Sequence, residues 1–509
     1  MISMGQIDNR TIATNTLFLY FRMAFIMLVN LFVVRAILDI LGVVDYGIYN
    51  VVGGIVGMFS FLNGTLATSS QRYFSVALAN GDRLRLKHQF CLNVSVFVLL
   101  ILFVIVFAET IGLWYVNTKM TIPQDRLFAA NLVYQLTIIT FVFQLITVPY
   151  NALMIAHEHM KIFAYIGIVE AIFKIIMVII LSNGNCDKLI EYGILMLLSS
   201  IIVMSCYYIF CRKNYAESKY SFYWKKDEAK DLIGFSGWHF LGTTSVVIRS
   251  QGINLLINAF FSPAVNGARA IAFQISSVVN QFAGNFFVAV KPQMYKSYAA
   301  KDINGLVALI FRSTIICVFL VSIIAVPCII NADFILQLWL KKVPEYTVLF
   351  TQLVLINAII DATGNPTICA ALATKQIKKF YLYTGTLYIL CLPISYIALK
   401  LGYDASITMV ISSVISVIAV FSRVIILKQL FPFPLKNYII LFVKEMLLTV
   451  FIIIVAVLFK CEINNSIIAF IGSSIVSFIL HIVCYYYVII DKQDRIIISD
   501  IVKKKILRR

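Results

Sequence analysis

Apolar residues run for twenty or more positions at a time along this chain, and the breaks between runs are short and polar. A helix needs about 20 mostly apolar residues to cross a hydrocarbon core roughly 30 Å thick. Fourteen runs of that kind are legible, near 15–38, 46–66, 90–116, 127–150, 162–182, 189–211, 232–258, 265–290, 306–331, 346–370, 380–399, 405–427, 437–459 and 466–490. The pattern predicts an all-α polytopic membrane protein with about 14 transmembrane helices and almost nothing left for a soluble domain. The first run is too long for a signal-peptide core, contains Arg22 and is followed by no small-residue cleavage site, so it reads as a retained helix.

Composition agrees: 61% of the residues are hydrophobic and 13% charged, where a soluble domain carries about 25% charged residues. The net charge of +18 is explained by topology. With fourteen spans, 27 Lys and Arg fall on the side that holds both termini and 7 on the other, which predicts cytoplasmic N- and C-termini. No nucleic-acid partner is needed. The basic clusters RLRLKH (83–88) and KKKILRR (503–509) read as topology determinants, with contact to anionic membrane lipids as the alternative. Most of the ten cysteines lie in or at the ends of spans, so neither a disulfide framework nor a metal site is expected. The HEH at 157–159 lacks the i, i+4 spacing of a helical zinc pair. There is no nucleophile–base pair and no phosphate-cradling glycine loop, so neither an enzyme nor a cofactor is expected.

The chain repeats itself. An offset of 220 residues lays 45–82 on 265–302, matching Gly47 with Gly267, Gly64 with Gly284 and Asp82 with Asp302. An offset of 217 lays VPYNALMIAHEHMKIFAYI (148–166) on the stretch around NPTICAALATKQIKKFYLY (365–383), matching Pro149 with Pro366, Lys161 with Lys378 and Phe163 with Phe380. Both matches put span 2 on span 8 and span 4 on span 10. Six spans is an even number, so the copies enter the membrane in the same orientation. The expected organisation is two parallel six-helix lobes, 1–228 and 229–430, around a central cavity, with two extra helices and a basic cytoplasmic tail in 431–509. Pro149 and Pro366 remove a backbone hydrogen bond from spans 4 and 10; they read as packing kinks or as gating kinks.

Fourteen spans in a 6+6+2 repeat, ILGVVDYGIYNVV at 40–52 and PYNALMIAHEHMKIFAYI at 149–166 together resemble the bacterial O-antigen and polysaccharide flippases called Wzx-type. These belong to the superfamily that also holds the MATE drug antiporters. The resemblance covers nearly the whole chain. It implies translocation of an undecaprenyl-pyrophosphate-linked oligosaccharide across the bacterial inner membrane by alternating access, in partnership with polysaccharide polymerase or ligase machinery.

Ionisable groups at membrane depth usually face a watery cavity or a partner. Arg22 in span 1, Arg249 in span 7 and Arg269 at the start of span 8 are the candidate cavity cations, because an arginine fork matches a pyrophosphate bidentately. Arg35 and Arg269 read equally as snorkelling to the outer interface. Lys174 has Glu170 one turn earlier and reads as its ion-pair partner before it reads as a ligand. Arg312 and Arg423 are expected to snorkel at helix ends, and Lys444 and Glu445 are given no transport role. Asp361, followed by Asn365, is the deepest unpaired acid and the candidate for coupling to a proton or sodium ion, with capping of a broken helix as the alternative. Amides in spans 1, 2, 7 and 8, among them Asn30, Gln251, Gln274 and Gln281, suit either sugar binding or interhelical hydrogen bonding.

The competing function is a MATE-like cation-coupled drug or metabolite antiporter. It calls for buried acids in spans 1 and 7, where this chain carries arginines. A membrane polymerase or ligase calls for a large external loop, whereas every external connection here is about 15 residues or fewer.

Overall fold

The computed structural model describes residues 9–57, 59–118, 123–184, 186–261, 263–340, 343–374, 376–463, 465–491 and 495. Every regular element among them is helical. The long helices are α1 (Asn9–Gly57), α2 (Ser60–Ala79), α3 (Arg83–Phe107), with a short α4 (Leu113–Thr118) after it, α5 (Leu127–Ala156), α6 (Met160–Asn183) and α7 (Lys188–Asn214). They are followed by α8 (Lys226–Phe260), α9 (Pro263–Ala299), α10 (Ile303–Ile330), a short α11 (Ala332–Trp339), α12 (Thr347–Ala373), α13 (Ile377–Lys400) and α14 (Ile407–Leu430). Then come α15 (Leu435–Cys461) and α16 (Ser466–Cys484), the last prolonged by a π-helical turn, Tyr485–Ile489.

Eleven spans among the described residues are long and apolar enough to cross a membrane. The chain is a multi-pass membrane protein, although fourteen spans do not all meet that standard. The three shortfalls are expected spans 2, 7 and 8. Their residues are helical, in α1–α2, α8 and α9, but these helices carry the amides and small residues and are correspondingly less apolar. Spans 1 and 2 are two helical segments within Asn9–Gly57, separated at Gly42, whose φ of +73° a glycine adopts without steric cost.

The repeat read from the sequence reappears in element boundaries. The helices α2 and α9 end at Ala79 and Ala299, while α3 and α10 begin at Arg83 and Ile303, both offsets being 220. The connecting turns match as well, with Gly81 and Lys301 left-handed at φ +69° and +59°. Asp82 accepts from the Arg85 backbone N–H and Asp302 from that of Gly305, each at 2.9 Å. These aligned aspartates are therefore conserved in role between the copies as N-caps. Likewise α5 and α12 end at Ala156 and Ala373, and α6 and α13 each run 24 residues from starts 217 apart. Pro149 and Pro366 are buried within α5 and α12, and helical structure continues through both.

The chain divides into two compact units. Unit 1 comprises 1–240 and 288–301; unit 2 comprises 241–287 and 302–509. The division falls inside α8 and α9 rather than in the 211–231 connection, and α15–α16 go with unit 2. The larger apolar clusters of unit 1 among the described residues centre on Val133, Tyr134 and Leu145 and on Phe74, Phe90 and Leu153. Unit 2 is centred on Ile257, Phe350, Cys391 and Ala419.

The α5–α6 turn of unit 1 is tied by polar groups. Glu158, left-handed at φ +63°, accepts from Gln293 Nε2 at 2.5 Å and pairs with Lys296, both near the end of α9. His157 Nε2 lies 2.8 Å from Glu217 Oε1, and His159 Nδ1 is hydrogen-bonded to the Tyr215 hydroxyl. Burial alone would raise the Glu217 carboxyl, but the His157 hydrogen bond and nearby positive charge outweigh it and hold the group below its usual range. Burial, then the charge of His157, pushes His159 down. Both shifts have the same sign for stability. The unfolded chain takes up protons first, so each contribution is complete above the unfolded pKa and is lost as pH falls. The linker 214–225 is accordingly expected to become more sensitive to proteolysis on acidification, beginning near pH ~6.5 from His159 and again below about pH 4.3 from Glu217. Glu217→Gln should remove the second phase and spare the first.

Candidate functional site

In unit 2, two arginines flank one aromatic ring at membrane depth. Tyr388 is the eleventh residue after the start of α13, about 16 Å along a helix with a 1.5 Å rise. The guanidinium carbon of Arg249, on α8, lies 4.4 Å from the Tyr388 ring centroid, within cation–π range. That of Arg423, on α14, lies 5.7 Å away, and Arg423 donates to the Tyr388 hydroxyl. Small residues let these helices approach. Gly364 on α12 leaves the space that Arg423 fills, since a Cβ there would stand 2.5 Å from Nη1. Gly385 does the same on α13 beneath Ser245.

Arg269 adds a third guanidinium. Only 4% exposed, it donates from Nη1 to Asn254 Oδ1 at 2.8 Å and from Nη2 to the Ser250 carbonyl at 3.1 Å, and it lies over Phe273 at 4.2 Å. Its charge interacts with that of Arg249. None of the three arginines forms an ion pair with an acid among the described residues. Arg249 is satisfied there by one neutral hydrogen bond, Nη1 to Ser416 Oγ at 3.2 Å. Like charges gathered in low dielectric without a counter-ion are costly. The arrangement suits an anionic ligand that supplies the missing charge.

Asp361 on α12 is half-buried and accepts from Asn357 Nδ2 at 2.9 Å, one turn back on its own helix. Its charge reaches Tyr388. No cation pairs with it among the described residues, and it does not cap a broken helix, since α12 is continuous from Thr347 to Ala373.

The other sequence candidates lie in unit 1. Arg22 on α1 is half-buried, its guanidinium 4.3 Å from the Phe163 centroid on α6 and packed along Gly167, which has no side chain to displace it. Lys174 forms the expected i, i+4 pair with Glu170 at 2.8 Å. Arg35 lies on an exposed face of α1. At another place in this unit Arg126 reaches both Asp45 and Asp187, the latter at 2.5 Å, closing a polar clasp across three segments. Within unit 2 the structure brings Arg249 and Arg269 together; Arg22, Arg35 and Lys174 are residues of unit 1.

Two site residues were not legible beforehand. Arg423 does not snorkel: it is 5% exposed and turned onto Tyr388. The only linear signal is depth, because it sits seven residues, about 10 Å, before the end of α14. Tyr388 is one of 26 tyrosines and carries no distinguishing spacing. Buried Arg72 on α2 was also missed; it lies 5.1 Å over the Phe235 ring. Among the described residues no three His, Cys, Asp or Glu side chains gather as metal ligands.

No protein-family profile matches the chain. A sequence relative, the uncharacterized membrane protein EpsK of Bacillus subtilis, is 20% identical over 275 residues, which is 53% of this chain. That match spans only 54% of the relative's length. Solved structures share the fold over most of the chain. A MATE protein in complex with MaD3S superposes with a TM-score of 0.70 at 11% identity, covering 82% of this chain and 96% of that one. An outward-facing multidrug resistance MATE family transporter of the MOP superfamily gives 0.69 at 11%, covering 82% and 93%. A MOP superfamily transporter from Pyrococcus furiosus, described as having a binding pocket of reverse polarity, gives 0.68 at 10%, covering 80% and 93%. The fold is that of MATE and MOP superfamily transporters.

Proposed function

We propose that the chain is a flippase that moves an undecaprenyl-pyrophosphate-linked oligosaccharide, an O-antigen, capsule or exopolysaccharide repeat unit, across the bacterial inner membrane by alternating access. The observation that carries this reading is the Arg249–Tyr388–Arg423 stack with Arg269 nearby and no ion-paired acid. A pyrophosphate supplies two adjacent anionic groups, the geometry that guanidinium forks hold bidentately. Exposed aromatic and amide groups such as Gln251 and Phe273 suit the sugars that follow it. Arg22 is the corresponding cation of unit 1. Both termini are cytoplasmic in this reading, and the product passes to polymerase or ligase machinery on the far face.

The fold is shared with multidrug transporters, so a cation-coupled drug or metabolite antiporter is the second reading, with Asp361 as its acid. The described transporter of reverse pocket polarity supports the first, because it has this fold with a pocket unlike that of its relatives. Proteoliposomes holding the full chain decide between them. The expected result is flipping of a lipid-linked oligosaccharide and no gradient-driven export of a cationic dye. Dye export that is lost in Asp361→Asn, with no flipping, would move the protein to the antiporter reading.

A further inference from the structure

We propose that the pair α15–α16 carries a proton-binding site centred on Glu445, and that this site couples transport to a proton gradient. The coupling half of the proposal rests on the transport reading above.

The buried residues of α16 are Ala469, Ser473, Ser477 and His481, and the next turn adds Tyr485. A spacing of four places all five on one stripe of the helix. Ser473, Ser477 and His481 are each 0% exposed. Aliphatic side chains would fill such a stripe without polar cost, so its polarity calls for a reason. One end is satisfied, with Asn331 Nδ2 donating to Ser473 Oγ at 3.0 Å. His481 Nδ1 lies 2.8 Å from the Ser477 carbonyl oxygen, which can only accept, so Nδ1 carries the proton and Nε2 is a bare acceptor. That Nε2 is buried with no partner among the described residues.

Glu445 on α15 is also 0% exposed, and neither of its carboxyl oxygens has a hydrogen-bond partner among the described residues. It stands ten residues into α15, about 15 Å from that helix's start. The titratable groups that sense its charge are Cys317 on α10, Tyr438 on α15 itself and Tyr485 after α16. From α14 the nearest cation along this line is Arg423, which interacts with Tyr438. Lys444, next in sequence, is on the exposed face. A carboxylate here would have neither water nor counter-ion, so the side chain carries its proton. Even so its hydroxyl donor is left unpaired, a cost that leucine would avoid. Giving up a proton is what leucine cannot do.

Tyr485 lies on the same stripe, its ring 6.3 Å from that of His481, and its hydroxyl senses the charge of Glu445. The step is a plain transfer. The O–H bond at Glu445 breaks, its electron pair stays on the carboxylate, and the proton passes to water, with nothing else consumed. A connection to the arginine site exists within the same unit. Tyr438 donates to the Thr363 carbonyl on α12 at 2.5 Å, lies 3.3 Å from Thr314 Oγ1 on α10 and senses both Glu445 and Arg423. Loss of the Glu445 proton therefore changes the field at Tyr438, which also senses Arg423 of the anion site. Asp361, half-buried and already bonded to Asn357, is the competing coupling acid.

The full chain in liposomes, with a trapped pH-sensitive dye and infrared difference spectroscopy, tests this. The expected results are a protonated-carboxyl band that disappears in Glu445→Gln, and flipping whose driving force changes about tenfold per proton for each unit of imposed pH gradient. Glu445→Gln, close in shape and checked by its melting temperature, should flip at a rate indifferent to the gradient. Unchanged gradient dependence in Glu445→Gln, or its loss in Asp361→Asn instead, overturns the coupling role. If the wild type flips no lipid-linked sugar, the transport reading fails, while the band still decides the proton site: its absence overturns that as well.

Discussion

Arg249→Ala is expected to lower flipping of a lipid-linked oligosaccharide by at least about 100-fold, while the melting temperature of the chain stays within a few degrees. Charge-assisted hydrogen bonds contribute about 1.5–3 kcal/mol each, and a bidentate hold on a phosphate makes two of them. The loss of about 3–6 kcal/mol corresponds to roughly two to four decades. Little structure stands to be lost. Arg249 is half-exposed and, among the described residues, gives its Nη1 to one neutral hydroxyl, that of Ser416. Arg269→Ala should cost less activity and more stability, because that side chain is buried and already donates to Asn254 and to the Ser250 carbonyl. Binding of the pyrophosphate lipid to the detergent-solubilised variants, measured beside flipping, separates the two. Arg249→Ala that binds and flips as wild type would remove this arginine from the site.

Much of this fold can be read from the sequence because lipid imposes a simple rule. Backbone polar groups must be paired within the segment, so spans are helices and long apolar runs betray them. The repeat was legible for a different reason. Turns and caps need particular residues, and Asp82 with Asp302 recurs because each closes the first turn of a helix. The reading blurred where helices are polar. The α8 and α9 segments fall short as apolar spans since they hold Gln251, Asn254, Gln274 and Asn280.

Side-chain partners were much less legible. Lys174 and Glu170 share one helix, so their pairing follows from spacing alone. Arg423 and Tyr388 sit on different helices, and nothing in either segment announces the other. Glu445 was given no role because α15 lies outside the twelve repeated spans, yet among the described residues of unit 2 it is a fully buried acid with both oxygens unpartnered. Position in the repeat says which helices correspond. It does not say which of them bury charge.

Arg423→Met is expected to do two opposite things: raise the melting temperature and remove transport. The arginine is 5% exposed, its Nε has no partner, and no carboxylate pairs with it among the described residues. Its one hydrogen bond to a neutral group, the Tyr388 hydroxyl, does not replace the hydration a guanidinium gives up on burial. Methionine has similar length, flexes to fill the groove over Gly364 and brings no charge to desolvate. Exchanging a buried ionic group for an apolar one of similar volume is often stabilising, by about 1–4 kcal/mol. If Arg423 instead serves packing, the same substitution leaves the Tyr388 hydroxyl unpaired and the melting temperature falls along with activity. Gly364→Ala supplies a check that leaves the charge in place, since its Cβ would displace the guanidinium from Tyr388. It should weaken pyrophosphate binding without the gain in stability. Stability that rises as function disappears is the signature of a charge kept for a ligand rather than for the fold.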